Sequence, residues 1–166
     1  MSMDNLKELY IDLLQDTYSA NKQGAEMIEK LIDEASNDEL CVILENAQES
    51  FRKHNENLKK LVEGHDSDPT DEHCKGMEGL VKEAKAHAID ADFGDEDTQD
   101  AMIIAQFQRM VHYGLAAYGT CAAMSKRLKL NNDNTVLNKD LDSLYSFDKN
   151  LSKLAEGEIN PEAMAA

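Results

Sequence analysis

Residues 98–128, TQDAMIIAQFQRMVHYGLAAYGTCAAMSKRL, decide the fold. Apolar side chains recur here every three or four residues and nothing alternates as a strand does, so the segment reads as one long helix. Most of its circumference is apolar, and Gly114, Ala116, Ala117, Gly119, Ala122 and Ala123 keep it thin. A helix of that kind has close neighbours on several sides and belongs at the centre of its domain.

The same period extends outward from it. A first helix is expected from about Met3 to Ala35, with Leu6, Tyr10, Leu13, Thr17, Ala20, Ile28 and Leu31 on one face. Ser36-Asn37-Asp38-Glu39 has the form of a capping box, and a second helix follows through Leu40, Leu44, Ala47, Phe51, Leu58 and Leu61 to a stop at Gly64. After Asp68-Pro69 a third helix carries Met77, Val81, Ala84 and Ala88 and ends before the acidic loop 93–97. Beyond the central helix, Asn131 to Asn134 reads as a turn. A fifth helix then carries Leu137, Leu141, Leu144 and Leu151. Residues 157–166 show no period and are expected to be a flexible tail behind a single domain, 1–156. Five helices, two of them roughly 45 Å long at 1.5 Å per residue, make an all-α antiparallel bundle: four helices with an additional C-terminal one.

Composition narrows the function. The 166 residues carry 33 Asp and Glu against 17 Lys and Arg, a formal net charge of −16, which disfavours nucleic acid and anionic lipid as partners. No apolar run approaches the roughly 18 residues of a membrane span. Met1 to Asn5 lacks the basic start of a secretory signal, and Cys41, Cys74 and Cys121 are odd in number and far apart. Reduced, buried thiols in a cytoplasmic protein are the expectation. Gly-rich phosphate loops, HExxH, GxSxG and calcium-loop patterns are missing from the sequence.

What remains is polar residues on apolar arcs. His54 falls between Phe51 and Leu58, and Asp148 between Leu144 and Leu151. Gln108 and His112 share an arc with Ile104, Val111 and Leu115, while Asp16, Asn21 and Glu78 flank apolar faces. A buried carboxylate needs a partner, so Asp148 is expected to meet an imidazole, a hydrogen-bond donor or a metal. His54, Glu78, His112 and Asp148 are the candidate metal ligands, with Asp16, Asn21 and Gln108 around them, and iron, manganese or zinc suits such oxygen and nitrogen donors. The competing reading is a hydrogen-bonded polar network without metal, and the residues favour it.

Leu13 to Ala20 (LLQDTYSA), Gly76 to Val81 (GMEGLV) and His112-Tyr113 with Ala117-Tyr118-Gly119-Thr120 together resemble the YciE/YciF family of bacterial proteins, in order over about residues 5 to 155. The resemblance implies a ferritin-like bundle, a homodimer, an association with stress and, in several members, a metal pair between the helices. It also shows departures. Asn21, Val111 and Gly114 stand where the family has Glu, Ser50 and His54 where it tends to have Glu and Gln, and residues 142–145 lack the expected glutamates. A full two-metal site wants four carboxylates and two histidines. The leading expectation is therefore a non-enzymatic ferritin-like protein with a polar network or one metal ion inside. The alternatives are a di-iron or di-manganese enzyme acting on oxygen or peroxide, and an iron-storage shell.

Overall fold

The computed structural model describes residues 4–165. Its helices are α1 (Leu6–Glu34), α2 (Asp38–Glu63), α3 (Lys75–Ala84), α4 (Glu96–Arg127), α5 (Asn131–Leu154) and α6 (Asn160–Ala165). A π-helical turn, Lys85–Ile89, prolongs α3, and another, Ala155–Ile159, joins α5 to α6. The start expected for the first helix at Met3 lies outside the described residues.

Side-chain pairs give the directions. Thr17 meets Cys121 and Asn21 meets Tyr118, so α1 and α4 run antiparallel. Ser143 meets His54 and Asp140 meets Asn57, which makes α2 and α5 antiparallel, and His112 with Asp148 and Gln108 with Ser152 do the same for α4 and α5. Around the bundle the order is α1, α2, α5, α4. Consecutive α2 and α4 lie diagonally opposite and parallel, which demands a long crossover, and residues 64–95 with α3 supply it. The core is one cluster from all these helices, including Tyr10, Leu14, Ile28, Leu44, Leu58, Phe107 and Leu151. Each fully buried Leu contributes about 2 kcal/mol.

Several helix ends differ from expectation. The capping box does not form: Asn37 caps α2, accepting from the Glu39 and Leu40 amides. Ser36 is held instead by Asp100 of α4, a fully buried carboxylate that takes the Ser36 amide (3.0 Å), its hydroxyl (2.7 Å) and the Asn37 amide (2.8 Å). Gly64 stays right-handed, and the chain reverses at Asp66 (φ 58°) with the Ser67 amide on the Val62 carbonyl. Lys129 (φ 61°) does the same after α4, so Asn131 to Asn134 form the first turn of α5, not a separate loop.

Residues 157–165 are helical rather than an unstructured tail. Ile159 has no exposure, and Glu158 accepts from the Asn37 side-chain amide. The π turn is what hid this from the sequence, because its extra residue shifts Ile159 out of step with Leu151 and Leu154. α4 is only partly central. It packs against α1, α3, α5 and α6, but His112, Ala116, Thr120 and Ala123 face outward.

Candidate functional site

The helical period of α2 aims Phe51, His54 and Leu58 inward, and His54 is 4 % exposed. Its Nε2 lies 3.0 Å from the Ser143 hydroxyl, which itself donates to the Asp140 carbonyl at 2.8 Å. One hydroxyl has one proton, so Ser143 accepts from His54 and the imidazole is the Nε2–H tautomer. Nδ1 is then a bare lone pair, sealed from solvent with no hydrogen-bond partner. Phe51 stacks on the ring and Tyr118 meets it edge-on at 5.8 Å.

Asp140 lies beside His54 on α5 and is also buried. Both its oxygens accept from the Asn57 amide at 3.1 Å, while the His54 Nε2 is 3.6 Å away, too long for a hydrogen bond. On the other side the Tyr118 hydroxyl donates to Asn21, whose amide donates to the Phe51 carbonyl (2.6 Å) and to Asn55 (3.1 Å). Burial sets the charges here. It pushes His54 down to about 4, raises the Asp140 carboxyl, and drives Tyr118 well above its ordinary value. At neutral pH His54 is uncharged and Tyr118 keeps its proton.

Of the residues singled out in the sequence, only His54 and Asn21 belong to this seam. His112 and Asp148 do meet, at 2.9 Å, and Gln108 joins them through Asp148 and Ser152. They sit on the outer face between α4 and α5, where the His112 side chain is 62 % exposed. The reason is angular: Phe147 and Leu154 extend the buried arc of α5 to the side away from Asp148, leaving Asp148 and half-buried Leu141 beyond its other edge. Glu78 is on the surface of α3, paired with His73 and Lys82. Asp16 accepts from Tyr113, whose oxygen is 2.9 Å from the Cys74 sulfur. The four candidate ligands therefore lie in three separate places. Sequence reasoning missed Asn57, Tyr118, Asp140 and Ser143. The signal for Asp140 was available, three residues after Leu137 and four before Leu144.

A metal pair does not fit these residues. Asn21 and Gly114, two of the positions where the resemblance calls for carboxylates, border a void of about 10 Å³ with Phe51, Met77, Met110 and Leu144. A Cβ on Gly114 would stand 3.0 Å from Leu144 Cδ1, so a longer side chain there needs repacking. Asp140 is the one carboxylate in the seam, against four in a two-metal bundle. The free lone pair of His54 is Nδ1, which is sealed from solvent and has no hydrogen-bond partner, so an ion there would need further ligands from around it. Among the described residues no three His, Cys, Asp or Glu converge on a point that could hold an ion.

Comparison with known proteins agrees with the topology. Residues 5–164 match the family model of a domain of unknown function, DUF892. The chain is 31 % identical over 164 residues to Protein YciF of Escherichia coli K12, covering 98 % of both. It belongs to the YciF family. The crystal structure of the E. coli stress protein YciF superposes with a TM-score of 0.88 at 30 % identity, over 95 % of this chain and 99 % of that one. YcfI of Rhodopseudomonas palustris, described as a putative structural protein, gives 0.84 at 28 % identity, over 92 % and 97 %. The fold is thus the ferritin-like bundle of the YciF proteins, with its crossover helix α3 and the short α6.

Proposed function

We propose that this chain is a non-catalytic, ferritin-like stress-associated protein whose inter-helix site is a closed polar network rather than a metal centre. The observation that carries this is the state of His54. Its Nε2–H is committed to Ser143, its Nδ1 is sealed without a partner, and among the described residues no three His, Cys, Asp or Glu converge there. An ion on Nε2 would displace that bond and move the ring proton to Nδ1, leaving a buried donor unpaired at a cost of roughly 1–3 kcal/mol. Asp140, Asn57 and Ser143 tie α2 to α5, Tyr118 and Asn21 tie α4 to α1, and the two sets meet at the His54 and Tyr118 rings, fixing the register of four helices. The test is thermal unfolding with added ferrous, manganous or zinc ion. No saturable rise in Tm is expected. A rise that Asp140→Asn abolishes would overturn the reading.

The partner the surface best fits is a second copy of this chain. The outward face of α4, with Ala116, Gly119, Thr120 and Ala123, forms a shallow depression with Leu6, Leu115, Met124 and Arg127. No acidic residue occurs between Asp100 and Asp133, in a chain of net charge −16. The net charge makes two such chains repel, and an acid-free face lets them approach. Sedimentation should give the mass of two chains, and Ala116→Glu with Ala123→Glu should give one. A closed shell of many subunits would point to storage instead. The cysteines are free, and none of the described helices is long and apolar enough to cross a membrane, which supports a cytoplasmic setting.

A further inference from the structure

The start of α3 brings together a thiol, a phenol and a carboxylate from three separate segments. Cys74 caps α3, its sulfur accepting from the Met77 amide at 3.4 Å, and the residue is 1 % exposed. Its backbone is tied to α1 on both sides. The amide donates to the Ser19 hydroxyl (3.0 Å) and the carbonyl accepts from the Gln23 side chain (3.1 Å). The Tyr113 ring comes from α4 and lies over Gly76, where a Cβ would stand 2.8 Å from the ring. Asp16 comes from α1. The Tyr113 hydroxyl donates to Asp16 Oδ2 at 3.2 Å and lies 2.9 Å from the Cys74 sulfur. A phenol has one proton, and here the carboxylate takes it, so the thiol donates its S–H to the phenol oxygen. The hydrogens thus point one way, from sulfur to phenol to carboxylate.

Nucleophilic chemistry does not suit this thiol. Burial pushes Cys74 up from the ordinary thiol range, and the thiolate is the nucleophile. Burial, then the Cys74 contact and the Asp16 charge, also raise the Tyr113 phenol. Both groups keep their hydrogens at neutral pH. The geometry favours moving hydrogen: an acceptor stands on the phenol's proton and a hydrogen donor on its oxygen. Among the described residues no other tyrosine has both. The Tyr10 hydroxyl donates to Asp133 and that of Tyr118 to Asn21, with no thiol hydrogen-bonded to either oxygen. A groove of about 230 Å³ between α1 and α4, walled by Leu13, Thr17, Ala117 and Thr120, opens onto Asp16 and Tyr113 but does not reach the sulfur.

We propose that Cys74, Tyr113 and Asp16 form a radical-quenching site whose substrate is a small, diffusing one-electron oxidant. The oxidant takes one electron from Tyr113 while the phenolic proton passes to Asp16, so the O–H bond breaks and a phenoxyl radical is left. The Cys74 S–H bond then breaks, its hydrogen atom forms a new O–H bond on Tyr113, and the unpaired electron rests on sulfur. The oxidant is reduced by one electron and Cys74 oxidised by one. Tyr113 is restored, and Asp16 releases its proton into the groove. Each chain supplies one such hydrogen, so the step is stoichiometric and stands apart from the sealed network at His54. Electron transfer needs proximity and not contact, so a second copy seated over Ala116 and Thr120 would not stop it.

Pulse radiolysis in azide solution, with the azidyl radical as oxidant, tests the site on the full-length protein carrying Tyr18→Phe and Tyr145→Phe. Those changes remove the other phenols with exposure, Tyr10 and Tyr118 are buried, and the chain has no tryptophan to compete. The phenoxyl band should appear and then decay at a rate independent of protein concentration, with the lost thiol mapped to Cys74 by mass spectrometry. Cys74→Ser keeps a hydrogen-bonding cap but has no S–H to give. Its band should outlast that of the parent and decay only as molecules meet, faster at higher protein concentration. Asp16→Asn should slow the appearance of the band. Tyr113→Phe should abolish the band and spare the Cys74 thiol, with helicity by circular dichroism unchanged in every variant. A parent that shows no band, a decay unaltered by Cys74→Ser, an appearance unaltered by Asp16→Asn, or Cys74 lost equally in Tyr113→Phe would each overturn the proposal.

Discussion

Two histidine–aspartate pairs, each with its aspartate on α5, show how little residue type decides. His54 beside Asp140 and His112 beside Asp148 are two turns of α5 apart. His54 is 4 % exposed and the His112 side chain 62 %. Inside, His54 and Asp140 are satisfied mostly by neutral neighbours, Ser143 and Asn57, and stand 3.6 Å from each other. Outside, the pair is in direct contact at 2.9 Å, yet water competes for both members. Desolvation rather than distance sets what a change costs, so disturbing the buried pair is expected to cost more than losing the shorter, wet contact.

Acid should break the interior pair first. The unfolded chain takes a proton on His54 near the ordinary 6.5, whereas the folded chain takes it only near about 4. The unfolded state therefore binds more protons between those values, and stability falls as the pH drops through that window. The loss approaches on the order of 3 kcal/mol at the lower end. Asp140 acts oppositely: its folded carboxyl is raised, so it gains its proton before the unfolded one and returns part of that loss. Urea unfolding from about pH 7 to about pH 4 measures the sum. His54→Gln should remove the downward slope, and a slope unchanged by it would place the acid sensitivity elsewhere.

Truncating Asp140 to Ala is next in size. It leaves the buried Asn57 amide without its acceptor and should cost about 2 kcal/mol in denaturant unfolding. Gly114→Ala sharpens the comparison from the neighbouring turn. Its Cβ would meet Leu144 Cδ1 at 3.0 Å, so α4 and α5 must part or Leu144 must turn, at about 1 kcal/mol. The outer pair gives the smallest effect. His112→Ala and Asp148→Ala should each change stability by less than about 1 kcal/mol at neutral pH, and a larger loss would erase the contrast.

How much of this could be read from the sequence follows from what periodicity encodes. The thin α4 and the long α1 were legible, since each rests on which residues are apolar. Inward polar residues were legible only where they interrupt a stripe cleanly, as His54 does between Phe51 and Leu58. Asp148 misled because Leu141 was counted into the stripe of α5, turning the buried arc toward it. With Phe147 and Leu154 in its place, Asp140 becomes the inward acid. Asp100 was invisible, because its partners are backbone amides at the end of a different helix. The π turn at Ala155–Ile159 broke the period and concealed α6.

The central claim is that the space between these helices is closed by hydrogen bonds rather than by metal. Elemental analysis of the protein purified without an affinity tag and without chelators tests it most directly. The account predicts iron, manganese and zinc well below one equivalent per chain, unchanged by Asp140→Asn. One or more equivalents, released by Asp140→Asn or His54→Gln, would contradict it.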